Sequence, residues 1–535
     1  MRALSSRERL LQLLLAAVLL APLGIAFFGR GDFGEAYTAV AAGEELMSRQ
    51  TALLYASLRS MGLAALATLV ALLIGVPSAW ALAQRSGGSR RWGLLLLVCC
   101  VLPLAIPASV TVSGWVSLIG PAGAASRFKS PVPGISDGGL HWLFSLPGAA
   151  LVLGTMLWPI VTLEAWPAFR RARNEGYDAA LLASSRWIAF WKILVPQTRR
   201  ELSAGGMLVF LLALSDFPVS SLLLVRTLPT EIHDALMLGN AGSAAAAAAP
   251  MLLAIVVIAL LLARLPARAA VAQESPELAR SGRGSLVVLV FGIIAGFVLP
   301  MLGCLYGALN GKREMSAVFG AGVDSLGITV RVAGAAALLA GIAAAARVLF
   351  WPETRALPLN AATLVLFAIP GSFLAAGMLE TQVDASPLLP FIPASTFAAA
   401  IFCFAYFLRF IYIPLRLVEE GLAALDSDLM DAAALAGHGR LSRAGTIALP
   451  LVLPHLLAGA ALVFILSMGE VPIAAKLSPP GLQPSTLWLF NQQHMGYDES
   501  VFGLSLLLGG LAALTLFCAG VVTLWLAGLF RKRRL

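Results

Sequence analysis

The sequence predicts an all-α polytopic membrane protein of about twelve transmembrane helices, in two parallel six-helix halves with both termini cytoplasmic. Three observations predict it. The chain is 59% hydrophobic and only 12% charged, whereas ordinary soluble domains carry about 25% charged residues. Its apolar residues come in runs long enough to cross a bilayer, and they do not alternate as the strands of a barrel would. A short pattern also recurs: DAALLASSRWIAFWKILVP at 178–196 and DAAALAGHGRLSRAGTIALP at 431–450.

Apolar runs place spans at roughly 10–28, 61–83, 92–115, 146–168, 204–225, 247–265, 285–308, 327–349, 357–379, 392–413, 457–476 and 503–529. The first follows a basic start, as a signal peptide would. Leu10–Phe28 is nevertheless long for a signal core and reaches spanning length, so it reads as a retained first helix. Residues 267–284 are the polar stretch between the sixth and seventh spans and read as a cytoplasmic linker. The halves are then 1–266 and 285–535.

The net charge is +9. Most Lys and Arg fall in short segments assigned to one side, among them Arg85, Arg90, Arg170, Arg264, Arg347, Arg409, Arg416 and Arg531. The opposite loops hold acids such as Asp32, Asp137, Glu231 and Asp498. This is the cytoplasmic bias of Lys and Arg in membrane proteins, and it points to a lipid bilayer rather than nucleic acid as partner. The five cysteines lie in apolar segments without zinc spacing, and the five histidines are scattered. No metal site, catalytic residue or paired nucleophile and base is expected, so the chain reads as a non-enzyme.

The repeat extends beyond the opening pattern. Asp178-Ala179-Ala180 matches Asp431-Ala432-Ala433, Pro196 matches Pro450, Pro218 matches Pro472, and Ala105-Ile106-Pro107 matches Ala368-Ile369-Pro370. Six spans return the chain to its starting side, so the halves share one orientation about an axis along the membrane normal, which favours a central pathway. The repeated loops, about 170–200 and 416–455, lie between the fourth and fifth spans of each half. In the second, Ser427 or Asp428 is expected to cap a helix whose first turn holds Asp431, near the positive dipole end. Small alanines keep that helix thin, Gly437 permits a turn, and Pro450 marks re-entry into the membrane. An interfacial lipid-facing helix is the alternative, but it would carry Trp, Phe and Leu on one side, and the second copy offers mostly Ala.

Asp216 and Glu470 stand late in the fifth span of each half, in SDFP and GEVP contexts. An acid at membrane depth is costly and tends to face the bundle interior. They read either as pathway groups or as structural acids bonded to backbone freed by Pro218 and Pro472. Those prolines break a helix hydrogen bond and suit a hinge or gate. Pro107 and Pro370 read as kinks, and Glu164 as a further pathway acid or a solvated one.

The spacing of Asp431-Ala432-Ala433, Gly437, Ile447 and Leu449-Pro450 resembles the EAA loop of ABC-importer permeases, with Asp for the usual Glu. The first copy departs from it: Ser184 stands where Gly is usual, and the spacer to Pro196 is one residue short. The resemblance covers nearly the whole chain and is similar to the fused six-plus-six permeases of bacterial ferric-iron and thiamine importers. It implies a type I importer fold in the bacterial inner membrane. Asp178, Ala179, Ala180, Ser184, Asp431, Ala432, Ala433 and Gly437 would couple to a separate ATP-binding cassette subunit, expected as a homodimer, and a periplasmic binding protein would deliver the solute. ATP and Mg would sit on the partner, since the chain has no G-x-x-x-x-G-K-[ST] loop and so no cofactor of its own. Ferric iron is the first solute implied and thiamine the second. An ion-gradient-driven secondary transporter is the alternative, and the paired loops argue against it.

Overall fold

The computed structural model describes residues 43–85, 90–120, 123–124, 141–172, 175–264, 283–310, 322–351, 357–388 and 391–532, together with Leu20. Among them every regular element is helical. The first part of the chain builds α1 (Gly43–Arg85), α2 (Arg90–Ala105), α3 (Ala108–Ile119), α4 (Leu146–Ala172), α5 (Glu175–Ala183), α6 (Arg199–Leu214), α7 (Pro218–Leu222), α8 (Leu228–Met237) and α9 (Ala241–Ala263). The second builds α10 (Gly284–Leu309), α11 (Val323–Phe350), α12 (Leu357–Ala368), α13 (Gly371–Ala385), α14 (Ala394–Phe410) and α15 (Tyr412–Ala423). It continues with α16 (Ser427–Leu435), α17 (Arg440–Met468), α18 (Pro472–Leu477), α19 (Ser485–Met495) and α20 (Glu499–Lys532).

Seven of these helices are long and apolar enough to cross a membrane, or up to ten spans if each bent pair counts as one. Of the roughly twelve predicted spans, one lies outside the described residues and others are broken or cut short. The run Leu10–Phe28 lies outside the described residues apart from Leu20, as does most of the linker 267–284. The fifth span, predicted as 204–225, stops at Leu214 after 16 residues. Large apolar side chains such as Leu73, Leu253, Leu338 and Trp525 stay exposed along the long helices, as expected of surfaces that meet lipid rather than water.

Proline sets the breaks. The predicted kinks at Pro107 and Pro370 are full breaks, bending α2 against α3 by 89° and α12 against α13 by 106°. Pro107 (φ −52°, ψ 139°) and Pro370 (φ −55°, ψ 131°) are both extended, so each ends one helix and starts the next. Pro218 and Pro472 each open a new short helix, where a missing N–H costs nothing. Elsewhere the helix widens instead of breaking. Wide π turns at Phe190–Leu194, Ile294–Val298 and Ala444–Ala448 each end two residues before Pro196, Pro300 or Pro450. The wider turn relieves the clash between a proline ring and the carbonyl four residues back.

The halves are locked by a crossing without side chains. Helix α3 of the first half meets α10 of the second so closely that a methyl at Gly303 would overlap the Gly114 carbonyl, and one at Gly114 would overlap Pro300. Small residues allow such approach in membranes, where dispersion contacts replace the hydrophobic drive. Two arginines assigned to cytoplasmic segments prove to be interior. Arg347 of α11 is buried and pairs with Glu419 at 3.4 Å, whose other oxygen accepts from Asn360 at 2.7 Å. Arg409 of α14 is also buried. Their positive charge is spent on internal acids, which a count of loop charges does not see.

Gly303→Leu is expected to destabilise the protein by about 1–3 kcal/mol through overpacking, read as a lower melting temperature in detergent. Gly334→Ala, where no atom stands within 4 Å of the new methyl, is expected to leave it unchanged.

Candidate functional site

The two repeated loops form helices that project beyond the membrane-length spans. In the second, α16 is capped by Asp426, whose carboxylate accepts the Asp428 N–H at 3.0 Å. The cap is therefore neither Ser427 nor Asp428, because Asp426 is the residue with extended backbone (φ −68°, ψ 122°). Asp428 occupies the first turn, and Asp431 falls one turn further on, exposed. The helix ends at Gly437 (φ +87°). There the His438 N–H donates to the Ala433 carbonyl at 3.1 Å and the Gly437 N–H to Ala434 at 3.0 Å. This pair of bonds needs a left-handed residue at Gly437, which a side chain resists. Ala432 is exposed and Ala433 half-buried.

The first loop closes differently. Helix α5 contains Asp178 and Ala179, whose side chains lie outside the described residues. Ser184 keeps ordinary backbone and turns its hydroxyl back onto the Ala180 carbonyl at 2.8 Å, beside its own N–H at 2.8 Å. This serine cap stands where the second loop has its glycine turn. Trp80 holds the loop from the membrane side, its ring 5.7 Å from both Tyr177 and Phe190 and 5.9 Å from Phe169. Both loops then run through a π turn into the next span. Leu182 and Leu435, each 91% exposed, occupy matched places on α5 and α16. The sequence reading missed them, although the repeat itself pairs their positions.

Between the halves lies a cavity of about 620 Å³. Asp216, Pro218, Glu470 and Pro472 all line it, so the structure brings together the four predicted pathway residues. Both acids bond backbone freed by the prolines. Asp216 Oδ2 accepts the Ser220 N–H at 3.0 Å and its hydroxyl at 3.3 Å, and Glu470 Oε1 accepts the Ile473 N–H at 3.4 Å. The structural and cavity-facing readings thus coincide. The two acids differ in their surroundings. Glu470 is 8% exposed, pairs with Arg409 at 3.8 Å, and accepts the Tyr406 hydroxyl on its carbonyl at 3.1 Å. Asp216 is half-buried and forms no ion pair among the described residues. Toward the loops the cavity holds Glu164 and the pairs Arg171–Glu201 (3.1 Å) and Arg416–Glu420 (3.2 Å).

At the end away from the loops the halves touch. Phe217 stacks on Phe490 with ring centres 5.5 Å apart, Ser221 Oγ lies 3.3 Å from His494 Nε2, and Lys476 Nζ donates to the Leu236 carbonyl at 2.8 Å. His233 on α8 stacks on Phe217 at 4.3 Å. Burial, helped by Lys476 and His494, holds its imidazole down at about 4, so it adds no charge there near neutral pH. Ser215 of the first half also donates to the carbonyl of Ala368 at the break in the second.

The profile of one family, the binding-protein-dependent transport system inner membrane component, matches this chain twice, over residues 71–271 and 337–535. The chain belongs to that family. It is a fused permease, carrying in one polypeptide two copies of the domain. The permease is 30% identical over 243 residues to a probable molybdenum ABC transporter permease protein of Haloferax volcanii, covering 43% of the chain and 80% of the relative. It is 27% identical over 167 residues to the spermidine/putrescine transport system permease protein PotB of Escherichia coli, covering 31% of the chain and 59% of that relative. PotB of Haemophilus influenzae gives 27% over 165 residues, covering 31% of the chain and 56% of the relative.

Arg409→Leu strands a buried carboxylate and is expected to cost about 3–5 kcal/mol of stability. Adding Glu470→Gln is expected to recover part of that loss in a double-mutant cycle of melting temperatures, whereas strictly additive losses would show that the two do not interact.

Proposed function

We propose that this permease carries a small solute into the cytoplasm through the cavity between its halves, driven by ATP hydrolysis on a separate subunit. The halves are residues 1–266 and 285–535, joined by the linker 267–284. The loop end faces the cytoplasm, and a periplasmic binding protein docks on the opposite face of the inner membrane. The observation that carries the reading is the pair of matched loops within the two family domains, each holding at the same repeat position a leucine that is 91% exposed. A leucine exposed to that degree on a short helix is expected to bury in a partner, and here that partner is an ATPase subunit, one copy per loop.

Asp178, Ala179, Ala180 and Ser184 on one loop, and Asp431, Ala432, Ala433 and Gly437 on the other, form the contact faces. ATP and Mg bind the partner alone. When the ATPase dimer closes it draws α5 and α16 together, and the π turns pass that movement to α6 and α17. Pro218 and Pro472 then serve as hinges beside Asp216 and Glu470, opening the Phe217–Phe490 seal while the loop end closes. The arrangement described above, sealed away from the loops and hollow toward them, corresponds to the inward-facing state.

The solute is small. Ferric iron and thiamine are the expectations from sequence, while the relatives described above are named for molybdenum and for spermidine/putrescine.

Leu182→Asp combined with Leu435→Asp is expected to abolish co-purification of the ATPase and solute uptake while the permease stays in the membrane at normal abundance. Gly437→Val, which forces a branched side chain into left-handed backbone at a cost of about 1–2 kcal/mol, is expected to weaken the same coupling in part. Uptake that survives the double variant and follows only an ion gradient would replace this reading with that of a secondary transporter.

A further inference from the structure

We infer that the pathway is built for a positively charged solute and that Asp216 selects it, with Glu164 as the next station toward the cytoplasm. The inference rests on the permease reading and adds the class of solute. It follows from a charge inventory of the cavity wall. Five carboxylates line it, those of Glu164, Glu201, Asp216, Glu420 and Glu470, against three guanidiniums, those of Arg171, Arg409 and Arg416. Each guanidinium already has its own acid: Arg171 holds Glu201, Arg416 holds Glu420, and Arg409 holds Glu470. Asp216 and Glu164 remain without an ion pair among the described residues.

The surplus is spread along the path. On the cavity wall toward the seal, Asp216 and Glu470 face one arginine; the Lys476 ammonium at the seal lies off that wall and donates to the Leu236 carbonyl. Toward the loops, Glu164 shares Arg416 and Arg171 with Glu420 and Glu201, so three acids face two arginines. Among the described residues of the wall, each end holds one more carboxyl than guanidinium. Such groups are costly inside a membrane protein unless a counter-charge joins them. Asp216 accepts the Ser220 N–H and hydroxyl on Oδ2 and a further bond from the Val219 backbone, but no cationic side chain pairs with it among the described residues. An oxyanion would meet a wall in which carboxyls outnumber guanidiniums five to three, and the Arg409 charge on that wall is already matched by Glu470. Symmetry sharpens the contrast, because Glu470 is the repeat partner of Asp216 and only Glu470 has an arginine.

Glu164 lies beside Gly205 of α6, with 3.5 Å between its Cβ and the position a Cβ would take at Gly205. Asp216 is eleven residues further along, about 16 Å at the helical rise. The two surplus acids therefore stand at different depths along the path and act in sequence. The cavity gives them a low-dielectric surround in which one charge difference weighs heavily.

The test uses the full-length permease in nanodiscs, with spermidine, thiamine and molybdate as separate probes in equilibrium binding. At least one of the two cations is expected to bind and molybdate not. Asp216→Asn is expected to weaken the bound cation at least tenfold, Asp216→Glu to restore it, and Glu164→Gln to weaken it less. Ser220→Ala disturbs the local cap without removing charge and is expected to leave affinity within threefold. Glu231→Gln, whose partner Arg226 lies outside the cavity, is the neutral control. Binding of molybdate alone, binding of no probe, or equal losses in Ser220→Ala and Asp216→Asn would each overturn the inference. The permease reading fails by a different readout: uptake that needs no ATPase, whatever the solute.

Discussion

Backbone that leaves the helix inside a bilayer has no water to bond to, so it must be satisfied within the protein or at the wall of a wet cavity. Four prolines, Pro107, Pro218, Pro370 and Pro472, impose that constraint on this permease at matched places in its halves. Pro107, Pro218 and Pro472 line the central cavity, as does Phe367 just before the break at Pro370, and much of the remaining architecture follows from meeting their demands. Asp216 and Glu470 bond freed N–H groups, Ser215 reaches across to the Ala368 carbonyl, and Tyr406 serves the carbonyl of Glu470. The acids that answer the backbone also line the central cavity, the proposed solute path. On that proposal, structural need and transport chemistry fall on the same side chains.

The loops obey a related economy. On the proposed coupling, each passes force from a soluble partner to a membrane helix, which calls for stiff ends. The second copy achieves this with a left-handed glycine turn and a helix, α17, that continues unbroken from Arg440 to Met468. The first relies on a serine cap, an aromatic clamp around Trp80, and a break at Thr198 before α6. The same sequence departure that weakened the motif match, Ser184 for Gly, reappears as a different way of ending the helix. The halves are therefore symmetric in path and unequal in linkage.

Much of this was legible in the sequence. Long apolar runs and the recurring DAA pattern gave the class, the repeat and the loops, because span length and helix patterning are local properties. The pairing of Asp216 with Glu470 followed from the repeat alone, and both proved to line one cavity. Other features depended on contacts distant in sequence. Arg409 and Arg347 read as topology charges because a residue's burial is set by helices that pack on it later in the chain. The cap at Asp426 was misplaced by one or two residues, since several adjacent polar residues could serve and only the backbone angles choose. The fifth span was drawn through Ser215 to Pro218, because hydropathy does not register a break between apolar flanks. The exposed leucines were hidden for the opposite reason, as a lone Leu in an apolar chain carries no signal of its own.

The central claim is that the two halves open at the sealed end when an ATPase grips the loops. Spin labels at Met237→Cys and Met495→Cys, both exposed near the ends of α8 and α19, report the distance across that seal. With native cysteines replaced and the ATPase bound, the distance is expected to lengthen on adding ATP and Mg and to return after hydrolysis. A distance that stays fixed while solute uptake proceeds would contradict the account.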